Sequence, residues 1–170
     1  METTTRLLCA GCSAEARDND PLPFRCPNAD GDDVDHVLRR ELVVGDDSTG
    51  LRQLFLDDEP NPFIRYRALL HSYTIARRRG MPDDAYVALV RNLDSAVQKV
   101  AGTGFRESPF AESAPLNKAL GRETGALWIK DETGNVSGSH KARHLFGVLL
   151  WIEIARTTAL LGDRALSLAI

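Results

Sequence analysis

The sequence of 170 residues has few of the features that identify secreted or membrane proteins. It contains three cysteines, an odd number that cannot form a closed set of disulfide bonds. Its longest apolar stretch, Phe146 to Ile152, is much shorter than the ~20 residues that cross a bilayer. The first ten residues lack the apolar segment of a secretory signal. We therefore expect a cytoplasmic protein with reduced thiols and no membrane association.

Charge is small overall but unevenly distributed. The chain has 21 basic and 24 acidic residues, which gives no general attraction to nucleic acid. Residues 1–60 carry 14 acidic and 6 basic side chains, whereas residues 61–170 carry 10 and 15. This asymmetry indicates two segments with different roles. We predict a ribbon-like or irregular N-terminal segment over residues 1–60 and the start of an α/β domain over residues 61–170.

The three cysteines lie in the acidic segment, where its negative charge opposes nucleic-acid binding. Cys9 and Cys12 enclose two residues, as in half of a zinc ribbon, and Cys26 begins a second knuckle. A closed zinc site needs four ligands, but Ala29 stands where the fourth cysteine would be. The residues that would have to replace it are Asp30 and His36. Cys9, Cys12 and Cys26 are thus candidate metal ligands of a degenerate ribbon. We expect this ribbon to hold no zinc.

Turn signals and apolar spacing predict the first half of the fold. Short apolar groups between turn residues indicate short strands within residues 36–56. Asn61 and Pro62 are typical of a helix start and Gly80 of a helix end, which predicts one helix over residues 61–80. Apolar residues at intervals of three and four predict a second helix over residues 82–100.

The second half is predicted to form a strand–helix–strand unit. A short helix over residues 115–120 precedes a strand over residues 126–130. A long, mostly buried helix follows over residues 140–161, with Ser139 as its N-cap, and residues 165–170 form the next strand. This order implies a parallel sheet. One such unit with two or three strands cannot form a stable doubly wound sheet, so we expect the chain to be the N-terminal part of a larger α/β protein. The alternative is a small domain that a partner chain completes.

The loop before the long helix carries the strongest chemical signal. Small residues at Ser137, Gly138 and Ser139 allow close approach of a ligand, and the first N–H groups of the helix can hold a phosphate. Lys141 follows in the first turn, where the helix dipole and burial favour its neutral amine. A neutral lysine is what a Schiff base with an aldehyde cofactor requires. The alternative is an ordinary strand–helix turn with an exposed lysine.

The sequence Lys130-Asp131-Glu132, followed by Ser137-Gly138-Ser139-His140-Lys141-Ala142-Arg143, resembles the cofactor-lysine motif of fold-type II pyridoxal-phosphate (PLP) enzymes. That family includes threonine synthases, cysteine synthases and serine/threonine dehydratases. Ser108-Pro109-Phe110 stands where the family has a Thr-Pro-Leu turn. The resemblance covers residues 104–170, and residues 61–100 resemble the helical N-terminal part of threonine-synthase-like members. It implies the N-terminal part of a fold-type II α/β enzyme with a degenerate zinc-ribbon-like N-terminus.

The resemblance also implies roles for individual residues. Lys141 would be the catalytic residue that carries PLP, and Ser139 and His140 would complete the cofactor-binding set. His140 departs from the Phe or Val of threonine synthases and is similar to the tryptophan synthase β chain, where the histidine lies near the cofactor phosphate. The subfamily therefore stays open among threonine synthase-like, tryptophan synthase β-like and dehydratase-like enzymes. Arg143 matches an arginine of the family with a structural role.

The activity implied by the resemblance is a PLP-dependent lyase or synthase that acts on an amino acid, as a small-molecule substrate, by β- or γ-elimination or replacement. The full-length form would be a homodimer. The Ser-x-Gly-Asn loop and the glycine-rich phosphate loop of the family do not occur in these 170 residues, so we expect the chain to be inactive alone. The alternative is a non-catalytic fragment or binding module that retains the fold.

Overall fold

The acidic N-terminal segment is built on a two-stranded antiparallel sheet. In the computed structural model, which describes residues 3–44, 49–122 and 125–166, strand β1 (Thr3–Cys9) pairs with strand β2 (Leu38–Val44) along its whole length. Cys9 lies opposite Leu38 in this register. The connecting residues 10–37 form turns and one isolated bridge to β1, and few of their side chains are buried. Apolar burial alone therefore does little to hold this connection.

The predicted strands within residues 36–56 are correct for β2 and wrong for residues 49–56, while residues 45–48 lie outside the described residues. Helix α1 (Thr49–Leu56) follows instead of a strand. Its apolar residues Leu51, Leu54 and Phe55 are three and four positions apart, which is helical spacing rather than strand alternation. The turn signals around this segment hid that periodicity.

The predicted helix over residues 61–80 is divided into three pieces. They are helix α2 (Pro62–Arg65), a 3₁₀ turn (Arg67–Leu69) and helix α3 (His71–Arg78). Asn61 caps α2 as predicted, because its side chain accepts a 2.9 Å hydrogen bond from the backbone N–H of Phe63. The chain is extended at Leu70.

Two long helices complete the helical body. Helix α4 (Asp83–Ala101) confirms the helix predicted over residues 82–100 and ends at Gly102, whose φ of +78° is left-handed. Helix α6 (Lys141–Thr157) is the long helix predicted from residue 140, although it ends four residues earlier than expected. Phe63, Phe105 and Phe146 bring α2, the loop after α4 and α6 together, with ring centroids 4.6–5.3 Å apart. No helix in the described part of the chain is long and apolar enough to cross a bilayer.

A second small sheet lies outside this core. Strand β3 (Phe110–Glu112) pairs antiparallel with β4 (Trp128–Lys130), and helix α5 (Ala114–Ala119) lies between them. The helix predicted over residues 115–120 and a shorter form of the strand predicted over residues 126–130 are therefore confirmed.

The predicted parallel sheet is not seen among the described residues, where all strand pairs are antiparallel. The second strand of the expected unit was placed at residues 165–170, of which 167–170 lie outside the described residues and the first two form no regular structure. The fold is mixed α and β, as expected at the coarsest level.

The N-terminal module packs on the helical body through specific polar contacts. The indole N–H of Trp151 in α6 donates a 2.8 Å hydrogen bond to the carbonyl of Pro21. The buried hydroxyl of Thr5 in β1 lies 2.9 Å from His71 Nδ1 and donates to Thr74 Oγ1 at 3.0 Å. Arg78 pairs with Asp18. These contacts account for the break at Leu70, because a continuous helix would not direct His71 and Thr74 toward β1.

Candidate functional site

Three cysteines and one histidine of the N-terminal module converge on one point. The ligand atoms of Cys9, Cys12, Cys26 and His36 all lie within 4.8 Å of one another. Cys9 ends β1, Cys12 and Cys26 belong to the connection, and His36 stands just before β2. The three cysteines that the sequence offers as candidate metal ligands therefore lie together in the fold, which brings His36 beside them.

Three of the distances between these ligand atoms are close to the edges of a tetrahedral zinc site. A tetrahedron of sulfur atoms about 2.3 Å from a zinc ion has edges of about 3.8 Å. The Sγ atoms of Cys12 and Cys26 are 3.7 Å apart. His36 Nδ1 lies 3.3 Å from Cys26 Sγ and 3.6 Å from Cys9 Sγ. None of the three cysteines is in a disulfide bond, so all three thiols are available as ligands.

Neighbouring groups orient the four ligands. Asp33 Oδ2 lies 3.2 Å from His36 Nε2, which fixes the imidazole with Nδ1 directed at the sulfur atoms. Carboxylate–histidine pairs of this kind commonly support metal-binding histidines. Asn28 donates its backbone N–H to Cys26 Sγ and its side-chain N–H to Cys12 Sγ, at 3.4 and 3.6 Å. The cluster therefore has a second layer of contacts that stabilises negative sulfur.

Cys9 and Cys26 are both buried, but the net shifts of their thiol pKa values have opposite directions. Burial by itself raises the pKa of Cys9, but hydrogen bonds from the backbone of Cys12 and Gly11 and from the neighbouring cysteines lower that pKa to about 7. Burial raises the pKa of Cys26.

Gly11 allows the two halves of the cluster to meet. A Cβ atom at this position would lie 2.3 Å from the backbone carbonyl oxygen of Asp35, the residue before His36. Any larger residue would therefore separate the Cys9–Cys12 turn from the segment that carries His36.

Of the two residues that could replace the missing fourth cysteine, the fold brings in His36, whereas Asp30 is not part of the cluster. The expectation that zinc is absent depended on Ala29, and the fold removes that premise.

Lys141 lies where the sequence predicted, in the first turn of the long helix. Ser137 and Gly138 precede it with φ values of +53° and +59°, so the loop turns sharply into α6. The N-cap is His140 rather than Ser139, but the Ser139 hydroxyl accepts a 3.2 Å hydrogen bond from the Lys141 N–H. Ser139 thus still supports the helix start, although it stands one residue before the N-cap instead of at the N-cap itself.

Glu132 holds the loop and the helix together. Its carboxylate lies 3.0 Å from Arg143 Nε, 2.6 Å from Ser108 Oγ and 2.9 Å from Asn135 Nδ2. It also accepts from Lys130. Burial raises the pKa of Glu132, but these four donors outweigh burial and hold that pKa well below its usual range. Arg143 therefore joins α6 to the strand end through Glu132 and to Ser108.

An apolar cavity of about 440 Å³ opens beside Lys141. Ser137 and Lys141 stand at its edge, and the rest of the lining is apolar. The apolar lining includes Val97, Phe105, Val136, Leu145, Phe146 and Leu149. His140 is exposed and does not line this cavity, and neither does Ser139. Of the three residues predicted to bind the cofactor, Lys141 therefore lines this cavity and the other two do not.

Comparison with known proteins gives no relative from which a family or an activity can be taken. No protein-family model, curated protein or solved structure matches the chain.

Proposed function

We propose that the N-terminal module is a zinc-binding module in which Cys9, Cys12, Cys26 and His36 hold one structural Zn²⁺ ion. The observation that carries this proposal is the convergence of four ligand atoms within 4.8 Å. Three thiolates and one imidazole form a set that favours zinc over magnesium or calcium, which prefer oxygen ligands. Four protein ligands leave no open coordination position, which is typical of a structural rather than a catalytic zinc ion.

The connection between β1 and β2 has little apolar stabilisation, which a zinc ion would supplement. Residues 10–37 bury few apolar side chains, so the hydrophobic effect contributes little to fixing their path. A zinc ion would join the end of β1, the middle of the connection and the start of β2 at one point. Metal binding would then supply folding free energy to the module, as it does in other small domains with little core.

The test is metal content together with ligand replacement. Protein purified in the presence of zinc should hold one zinc ion per chain, and Co²⁺ in its place should give the visible absorption of a tetrahedral thiolate site. His36→Ala should reduce the affinity strongly, whereas His36→Cys should retain the metal because it restores four ligands. His144→Ala is the matched control, since His144 lies on α6 outside the cluster.

Two outcomes would overturn the zinc proposal. The first is an unaltered chain that retains no zinc or Co²⁺ after loading and buffer exchange. The second is a His36→Ala variant that binds as tightly as the His144→Ala control, which would remove His36 from the ligand set.

The second candidate function is that of a threonine synthase-like PLP-dependent lyase or synthase, with Lys141 as the residue that carries the cofactor. The observation that favours it is the apolar cavity beside Lys141. The structure describes all four lysines, and among them only Lys141 lines this cavity. The residues present fit the group in part, since they offer an amine, loop hydroxyls and an apolar wall.

PLP, when bound, supplies an electron sink for breaking bonds at the α-carbon of an amino acid. In this proposal the Lys141 amine would hold the cofactor and would move a proton at that carbon. On the cavity side of Lys141, water is excluded by the apolar side chains of Val136, Phe105 and Leu149. Glu132 and Arg143 fix the helix start from which Lys141 extends.

Selective trapping tests the role of Lys141. After incubation with PLP and reduction with borohydride, peptide mass spectrometry should find the pyridoxyl group predominantly on Lys141. Lys141→Ala should abolish this selectivity, whereas Lys130→Ala should leave it unchanged. Equal labelling of all four lysines would contradict the proposal, because it would show an ordinary surface amine at position 141.

A further inference from the structure

A separate cavity of about 330 Å³ lies where the N-terminal module meets the helical body. Its apolar lining combines residues of the connection, of α2, of the turn before α3 and of α6. These residues include Pro23, Phe24, Phe63, Leu70, Leu150 and Trp151. Binding cavities commonly form at such junctions and have volumes from about 300 Å³ upward.

This cavity and the cavity beside Lys141 lie against different faces of α6. Lys141, Leu145 and Leu149 repeat at intervals of four and line the first cavity. His144, Gly147 and Trp151 repeat at intervals of three and four and line the second cavity. Because residues with this spacing share one helix face, the two sets lie on neighbouring faces of α6, and Val148 between them lines both cavities. The second cavity is therefore centred on other residues than the first, and Lys141 does not line it.

The polar groups around the second cavity are basic or neutral. They come from β2, α3 and α6: Arg40, His71, Ser72, Arg143 and His144. No aspartate or glutamate belongs to the lining. A cavity with an aromatic floor and a cationic rim is complementary to a ligand that has an apolar body and a negative head.

Arg40 is the cation best placed to receive that head. Arg143 is already paired with Glu132 at 3.0 Å. Arg40 is exposed, and no described carboxylate lies within ion-pair distance of it. Its neighbour Arg39 lies 3.8 Å from Glu41, and successive residues of a strand point to opposite faces. Arg40 therefore brings an uncompensated positive charge to the rim of the cavity.

His71 and Trp151 stack on each other beside this cavity. Their rings are parallel within 5° and their centroids are 5.6 Å apart. Because the Thr5 hydroxyl donates its proton to Thr74, His71 Nδ1 must donate to Thr5. Its Nε2 atom is then an acceptor in the neutral ring. Burial lowers the pKa of His71, which keeps the ring neutral and suited to stacking.

We propose that this cavity binds a small arylalkyl carboxylate, with the aromatic ring among Phe63, Leu70 and Trp151 and the carboxylate on Arg40. Guanidinium groups match carboxylates in geometry as well as charge, and aromatic walls favour an aromatic body over an aliphatic one. The proposal goes beyond the zinc and PLP functions and depends on neither.

The experiment compares three probes that share one body and differ in the head: phenylpropionate, phenylpropanol and phenylpropylamine. Binding is measured by calorimetry on the unaltered chain. It is also measured by fluorescence in Trp128→Phe, where Trp151 is the remaining tryptophan. Phenylpropionate should bind saturably and change Trp151 emission. The alcohol and the amine should bind at least ~10-fold more weakly, because they lack the charge-assisted hydrogen bond to Arg40.

Arg40→Gln and Arg39→Gln form the matched pair of variants. Arg40→Gln should weaken phenylpropionate binding about tenfold, and Arg39→Gln should change it by less than about twofold. Equal affinity for the three probes, no saturable binding of phenylpropionate, or equal effects of the two variants would each overturn the proposal. If Arg40→Gln fails to fold, the comparison of head groups on the unaltered chain still decides the matter.

Discussion

Replacing Glu132 by glutamine tests whether its carboxylate holds the Lys141 loop to the rest of the fold. Three of its donors are sheltered from solvent, and the exposed fractions of the Glu132 and Arg143 side chains are 13% and 18%. A hydrogen bond to a charged group contributes about 1.5–3 kcal/mol. Glutamine keeps one acceptor oxygen and turns an N–H group toward the remaining donors. The pair with Lys130 is exposed and adds little.

We therefore expect Glu132→Gln to lower the free energy of unfolding by about 3 kcal/mol. For a chain of this size that corresponds to a fall in Tm of roughly 6–12 °C. Urea denaturation followed by circular dichroism measures the change. Asp131→Asn is the matched control, since Asp131 is exposed and its carboxylate accepts only local hydrogen bonds from Thr133. The control should unfold at the same urea concentration as the unaltered chain.

The pH dependence gives an independent check. Since the pKa of Glu132 is lower in the folded than in the unfolded chain, its stabilisation is complete above the unfolded value of about 4.5. It is lost as the pH falls from that value toward the folded pKa. The difference in stability between the unaltered chain and Glu132→Gln should therefore shrink below pH ~4.5. A difference that grows on acidification, or a Glu132→Gln variant as stable as Asp131→Asn, would refute this account of Glu132.

Three further substitutions test other parts of the structure. Gly11→Ala should weaken zinc binding strongly, since its methyl group would lie 2.3 Å from a backbone carbonyl oxygen; unchanged metal affinity would contradict the close approach of the Cys9–Cys12 turn to the chain before His36. Leu150→Ala, at a fully buried position, should cost about 3 kcal/mol of stability, whereas Leu149→Ala at a partly exposed position should cost clearly less in the same urea titration. Trp151→Phe should remove the hydrogen bond to Pro21, destabilise the chain by about 1–3 kcal/mol and speed proteolysis of the N-terminal module; unchanged cleavage would show that this bond does not hold the module.

Local sequence patterns were sufficient to predict the elements whose structure is determined by neighbouring residues. Helix α4 could be predicted because its apolar spacing and Gly102 lie within one segment, and the same is true of the placement of Lys141 after its loop. The break at Leu70 could not, because it depends on contacts of His71 and Thr74 with Thr5, far away in the sequence. Local spacing gave no sign of these contacts.

Sequence spacing was likewise insufficient to identify all the ligands of the candidate metal site. The three cysteines could be identified from their spacing, but the sequence left Asp30 and His36 as equal alternatives. The choice depends on how the connection between β1 and β2 turns, and on Gly11 allowing the chain before His36 to approach. Both are properties of the folded module, so His36 could be selected only from its geometry.

The hydrogen bond between Trp151 and Pro21 has a consequence for the order of folding. Its partners are separated by 130 residues, and those of the Thr5–Thr74 bond by 69 residues. During synthesis the N-terminal module leaves the ribosome long before α6 exists. Contacts so distant in sequence form late because the intervening chain must first be ordered. A nascent module that binds zinc early would already have nearly its final shape when α6 is synthesised. A module without zinc would expose its thiols until α6 is synthesised.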